Sequence, residues 1–170
     1  MGERRFRALV ESGLIVPIGH GTYRKMSVEA DDDLADIALK SASATICLGS
    51  ALVRHDLSDD IPAAIDIAVP RQSWTPLTRA PVVWHQFDRP TFEVGRTSLE
   101  ITPGLAMGLY TPERSIIDVY RLAHQEGADV AHQALRRWLR RGGHPAALLQ
   151  MAESFPRALP ALRRALEVLL

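Results

Sequence analysis

Lysine is almost missing from this 170-residue chain: Lys25 and Lys40 are the only two. A nuclease strand of the Glu-x-Lys kind, whose lysine activates water, is therefore absent. Asp59, Asp60 and Asp66 keep a metal-dependent nuclease as the enzymatic alternative. The expected reading is plainer: Asp59 and Asp60 are loop residues, and Asp66 is an outward position between Ile65 and Ile67 on a strand. The lone cysteine, Cys47, excludes an internal disulfide and reads as a buried small hydrophobe in TICLGSAL. Aromatics are only 6%, yet hydrophobic residues make up 46%, so Leu, Ala, Ile and Val can build a core. No apolar run approaches the ~20 residues that span a bilayer. No signal peptide opens the chain, so a soluble cytoplasmic protein without a membrane partner is expected.

Catalytic signatures are also missing. Neither GxGxxG nor GxxxxGK[ST] occurs, and GLAMG lacks a lysine and leads into a strand. Ser50 sits in LGSAL, which lacks the spacing and second glycine of a nucleophile elbow, so a small packed serine is expected. His20, His55, His85, His124, His132 and His144 never fall at i,i+4. A zinc site needs three or four convergent ligands. The expectation is no catalytic residue, no metal and no cofactor.

Formal charge is zero, but its distribution is uneven. Arg4, Arg5, Arg7, Arg24 and Lys25 outweigh Glu3 and Glu11 at the front. Residues 26–66 are acidic, with Lys40 and Arg54 their only cations, and Arg136, Arg137, Arg140 and Arg141 cluster later. Such segregation orients a protein on an anionic partner, or marks solvated faces.

Residues 3–12 predict a short helix with Phe6, Leu9 and Val10 on one side and Gly13 as its stop. Residues 14–18 pair with 22–26 across GHG, where Gly19 and Gly21 permit a tight turn. Asp31 or Asp32 caps a helix over 33–42, and 44–55 predicts a second helix. Residues 64–69, 81–87, 92–94, 99–102 and 105–110 predict an antiparallel sheet with turns at Gly95 and Pro103-Gly104. TPERSIIDVYRLAHQE then starts a helix with Thr111 as N-cap, Pro112 in the first turn and Glu113 facing the dipole. ADVAHQALRRWLRR gives another helix, and one or two more close the chain. The fold class is α+β: a partial winged-helix element (helix plus β-wing) over 1–27, then a domain over 28–170 with an antiparallel sheet and a C-terminal helical layer.

A DNA reader needs hydrogen-bonding side chains on an outward helix face. Helix 3–12 offers Arg4, Arg5, Arg7 and Ser12, and the ribbon adds His20, Thr22, Arg24 and Lys25 as wing contacts.

Several stretches together resemble the AbiEi family of antitoxins, transcriptional regulators of type IV toxin–antitoxin systems. They are GHGTYR, with Gly21, Tyr23 and Arg24 as the wing motif, LGSALVRHDLSDDIP, IDIAVPR, TPERSIIDVYR and VAHQALRRWLRR. They keep the family's order and similar spacing along nearly the whole chain. The resemblance implies a DNA-binding winged helix that represses its own operon and a larger domain linked to countering a nucleotidyltransferase-like toxin. It implies no catalysis and does not require direct contact with that toxin. Operator DNA is the implied partner if the native winged helix is complete. Here one helix precedes the ribbon where about three are usual. The rival expectation is a protein-interaction scaffold that keeps only the antitoxin domain and does not bind DNA.

Arg114 lies one turn before Asp118, and with Pro112, Glu113 and Arg121 these residues are expected to be structural. Arg136, Arg137, Arg140 and Arg141 are expected at DNA phosphate in a homo-oligomer or cooperative assembly, or on a solvated face.

Overall fold

The computed structural model describes residues 2–19, 21–27 and 31–170. Its architecture is mixed α/β, with two sheets and several helices. Among the described residues no helix is long and apolar enough to cross a membrane.

The first helix, α1 (Glu3–Glu11), ends as its glycine dictates. Gly13 adopts φ +70°, and the Leu14 N–H reaches back to the Leu9 carbonyl at 3.1 Å while the Gly13 N–H bonds Val10 O at 3.0 Å. This is a Schellman closure, which satisfies carbonyls that a helix end leaves open. The chain reverses into β1 (Ile15–Gly19), which pairs antiparallel with β2 (Thr22–Lys25). A bulge between Pro17 and Gly19 interrupts the register.

Next comes α2 (Asp32–Lys40), capped by Asp31, whose carboxylate accepts the Leu34 N–H at 3.1 Å. Two residues of strand, β3 (Thr45–Ile46), precede α3 (Leu48–Arg54). Then follow β4 (Ile65–Pro70), β5 (Val82–Phe87), a helical turn α4 (Arg89–Phe92), β6 (Arg96–Thr102) and β7 (Leu105–Tyr110). The helical layer is α5 (Pro112–Arg121), the short α6 (Ala123–Glu126), α7 (Ala128–Arg140), α8 (Pro145–Ala152) and α9 (Leu159–Leu169).

Three expectations are corrected. The larger sheet is mixed, not antiparallel: in the order β5-β4-β3-β7-β6, the β4–β5 and β3–β7 pairs run parallel. The second lies within 44–55, expected as one helix: its first residues form β3, which wedges between β4 and β7 and makes the parallel pair with β7, while the chain between β4 and β5 sets the other. The third concerns 92–94, read as a strand. Asp88-Arg89-Pro90 instead opens a helical turn, because proline is preset for a first turn. Buried Phe92 locks it, with its carbonyl accepting the Tyr110 hydroxyl at 2.9 Å.

Strand alternation divides the core. Ile67 and Leu109 face α2 with Leu34, Ile37 and Met107. Ala68 and Tyr110 face the other way, into the helical layer with Ile116, Leu135, Leu148 and Leu162. α2 therefore covers one face of the sheet, and α5, α7, α8 and α9 cover the other.

Candidate nucleic-acid interface

The α1 arginines point outward because the helix has no buried residue at all. Arg4, Arg5 and Arg7 are exposed, and Arg7 pairs loosely with Glu3 one turn back at 3.1 Å. What fixes α1 is its Schellman closure and the edge of Phe6 against Tyr23, with ring centroids 4.8 Å apart. Such an aromatic pair contributes about 0.5–1.5 kcal/mol beyond area burial. The α1 arginines thus ride on the ribbon.

The ribbon in turn is fastened to the rest of the protein. Ile18 is 3% exposed, and the Pro17 carbonyl accepts from Arg79 at 3.3 Å. Arg24 turns inward: its Nε donates to Asp32 Oδ1 at 2.6 Å and its Nη2 to Asp32 Oδ2 at 3.2 Å. That two-point grip holds the Asp32 carboxyl below the usual carboxylate range, first through the hydrogen bond and then through the guanidinium charge. Lys25 remains exposed and Thr22 is half-buried. His20 lies outside the described residues.

The second basic group divides along the two edges of α7. Arg137 makes a two-point ion pair with Asp59. Arg141 donates to the His55 and Asp56 carbonyls at 3.0 and 3.1 Å. Both reach back to the loop after α3. Arg136 and Arg140, four residues apart and so on one helix edge, are exposed and make no ion pair among the described residues.

The TPERSIIDVYR stretch builds an internal scaffold. Thr111 accepts the Arg114 N–H at 3.3 Å as N-cap, Pro112 takes the first helical position and Glu113 stands in the first turn. Arg114 is fully buried between Tyr110 and Phe155, its guanidinium carbon 4.2 and 4.4 Å from the two ring centroids. It donates to Asp118 at 2.9 Å and to the Thr91 and Val94 carbonyls, tying α5 to α4 and the turn after it. Gly95 is required here: at φ +69°, a Cβ would meet the Arg114 side chain at 2.6 Å. Arg121 Nη2 lies 2.9 Å from the other Asp118 oxygen, close enough for charge attraction but not aligned as a hydrogen bond. Burial pushes the Asp118 carboxyl up, and the two guanidiniums oppose that push.

Asp66 is not the outward strand residue expected. Its Oδ2 accepts the Ser50 N–H at 3.2 Å and the Ser50 hydroxyl at 3.3 Å. Its N–H donates to Ser50 Oγ at 2.8 Å. Its Oδ1 accepts from His85 Nε2 at 3.0 Å. Ser50, Asp66 and His85 thus come together although they are far apart in sequence. The carboxylate stands between serine and imidazole, so the imidazole cannot take the serine proton as a general base does. The chemistry available is structural: Asp66 satisfies an open N–H in the first turn of α3 and links it to β5. Nearby, burial pushes the Glu126 carboxyl up, the Asp66 charge adds to that push and His85 opposes it. Among the described residues no three His, Cys, Asp or Glu side chains converge as metal ligands.

Sequence reasoning missed the Arg24–Asp32 grip, the aromatic cage of Arg114 and the Ser50–Asp66–His85 network. Only the first left a signal, a basic ribbon followed by EADDD. Compared with known protein-family models and with curated proteins, the chain matches none.

Proposed function

We propose that the chain is a non-catalytic DNA-binding regulator of antitoxin type, which reads operator DNA through α1 and the β1–β2 ribbon as a partial winged helix. One observation carries this reading. An arginine-bearing helix without a buried residue is laid on a two-stranded ribbon whose other side is anchored in the core by Ile18 and Arg24. Arg4, Arg5 and Arg7 supply base or phosphate contacts, and Lys25 neutralises backbone charge. Thr22 and Arg24 belong to the same wing, with Arg24 holding its position, and His20 is the further wing contact that the sequence offers. Arg136 and Arg140 offer a further phosphate-binding edge, and Arg137 and Arg141 keep that edge in place.

The test is a mobility shift on the DNA upstream of the protein's own operon, against a scrambled duplex of equal length. The proposal expects a preference for the upstream fragment. Equal retardation of both duplexes, or none, contradicts it.

A second reading is a protein-interaction scaffold that binds no DNA. It is favoured by the internal neutralisation of Arg24, Arg137 and Arg141 by Asp32, Asp59 and Asp56. A nucleotidyltransferase-like toxin is the functional counterpart in both readings, and neither requires a stable complex with it.

A further inference from the structure

The far side of α5 carries a different basic feature. Arg121 stands at its C-terminal end, its guanidinium carbon 4.7 Å from the Phe87 ring centroid and 5.6 Å from that of Phe155. Asp118 attracts the inner edge of this guanidinium, at Nη2. Nε and Nη2 are shielded and have no aligned acceptor among the described residues. Nη1 is the remaining nitrogen, and Arg121 lines a cavity of about 490 Å³. Arg71 and Arg157 line the same cavity, with Asp88 its one carboxylate among the described residues. A neighbouring cavity of about 360 Å³ shares all four of these residues and continues along Trp84 and His124.

We propose that this pocket binds the phosphate group of a small phosphomonoester. Three guanidiniums against one carboxylate leave an excess of positive charge that suits a dianion better than a singly charged phosphodiester. Phe87 and Phe155 hold the Arg121 guanidinium in place, so its remaining Nη1 is already positioned and little freedom is lost on binding. Its side chain is only 16% exposed. A guanidinium recessed to that degree meets a terminal phosphate that enters the cavity, whereas the backbone of a duplex needs protruding side chains. Arg71 pairs with Asp88 at 3.1 Å and is 63% exposed, free to swing onto the incoming anion. Arg157 is exposed and makes no ion pair among the described residues. The organic part of the ligand extends along Trp84 in the adjoining cavity. Nothing in this site depends on operator binding.

Isothermal titration of the full chain with inorganic phosphate and with AMP tests the site, with adenosine as the uncharged control. Both phosphates are expected to bind saturably and to compete, and adenosine to bind much more weakly than AMP. Arg157→Gln and Arg71→Gln alter exposed side chains and leave the fold intact. Each is expected to weaken phosphate binding about tenfold, the loss of one charge-assisted contact. Unchanged affinity in both variants, adenosine binding as tightly as AMP, or displacement of phosphate by a duplex without terminal phosphates would overturn the proposal.

Discussion

Arg24 Nε lies 2.6 Å from Asp32 Oδ1, which joins the second strand of the ribbon to the first turn of α2. The arginine that the sequence offers as a wing contact is thereby a tether for the ribbon. Arg24→Gln is expected to loosen the ribbon while leaving the sheet and helical layer intact. Hydrogen exchange of the β1 and β2 amides should speed up severalfold, with β4 and β7 unchanged. Uniform acceleration along the chain would contradict a local tether.

The same pair gives a pH dependence. The Asp32 carboxyl is depressed, mainly by its hydrogen bond from Arg24. A depressed carboxyl stabilises the folded state above its unfolded pKa, and that stabilisation is lost as pH falls through the lower, folded value. Ribbon docking should therefore persist down to about pH 4, the ordinary aspartate value, and weaken below it. Exchange of the ribbon amides, corrected for intrinsic rates between pH 5 and 3, reads this out. Release on the alkaline side would reverse the sign and refute the assignment.

Arg114 and Asp118 are both fully buried, so removing Asp118 leaves Arg114 buried without a counter-charge, and removing Arg114 leaves Asp118 with Arg121 alone. Asp118→Asn should cost about 3–5 kcal/mol in denaturant unfolding, while Arg114→Met/Asp118→Leu should cost less than the sum of its single changes. Additive losses would mean that the two residues act independently.

Asp66→Ala should destabilise by about 1–2 kcal/mol, the scale of a lost helix cap, because the Ser50 N–H is left open. Operator affinity measured on the folded variant should not change. A loss of DNA binding without a loss of stability would assign Asp66 a part in the interface.

Legibility followed the range of the interaction. The Thr111 cap, the proline at 112 and the Gly13 stop are short-range signals that set their boundaries, and of the two aspartates expected as cap it is Asp31 that starts α2, one residue before the expected helix. Strand β7 carries a clear pattern and spans the residues expected. β3 did not announce itself, because two residues carry no periodicity and its strand character comes from its neighbours on both sides. The parallel β4–β5 pair is invisible for the same reason: the intervening chain sets direction, not the strands. Alternation sets Asp66 opposite Ile65 and Ile67 but says nothing of Ser50 or His85, which tertiary packing brings to it. The i,i+4 relation of Arg114 and Asp118 could be read directly, whereas their burial among Tyr110 and Phe155 could not.

The most direct measurement is fluorescence anisotropy of labelled upstream DNA over a salt series, comparing the wild-type chain with Arg4→Gln/Arg5→Gln/Arg7→Gln. The α1 arginines are exposed, so the variant should fold as the wild type does. The expected result is an affinity that falls linearly with salt on logarithmic axes, with a slope reduced by about one for each arginine that had met a phosphate. Identical affinity and slope for the two proteins would contradict DNA reading by α1.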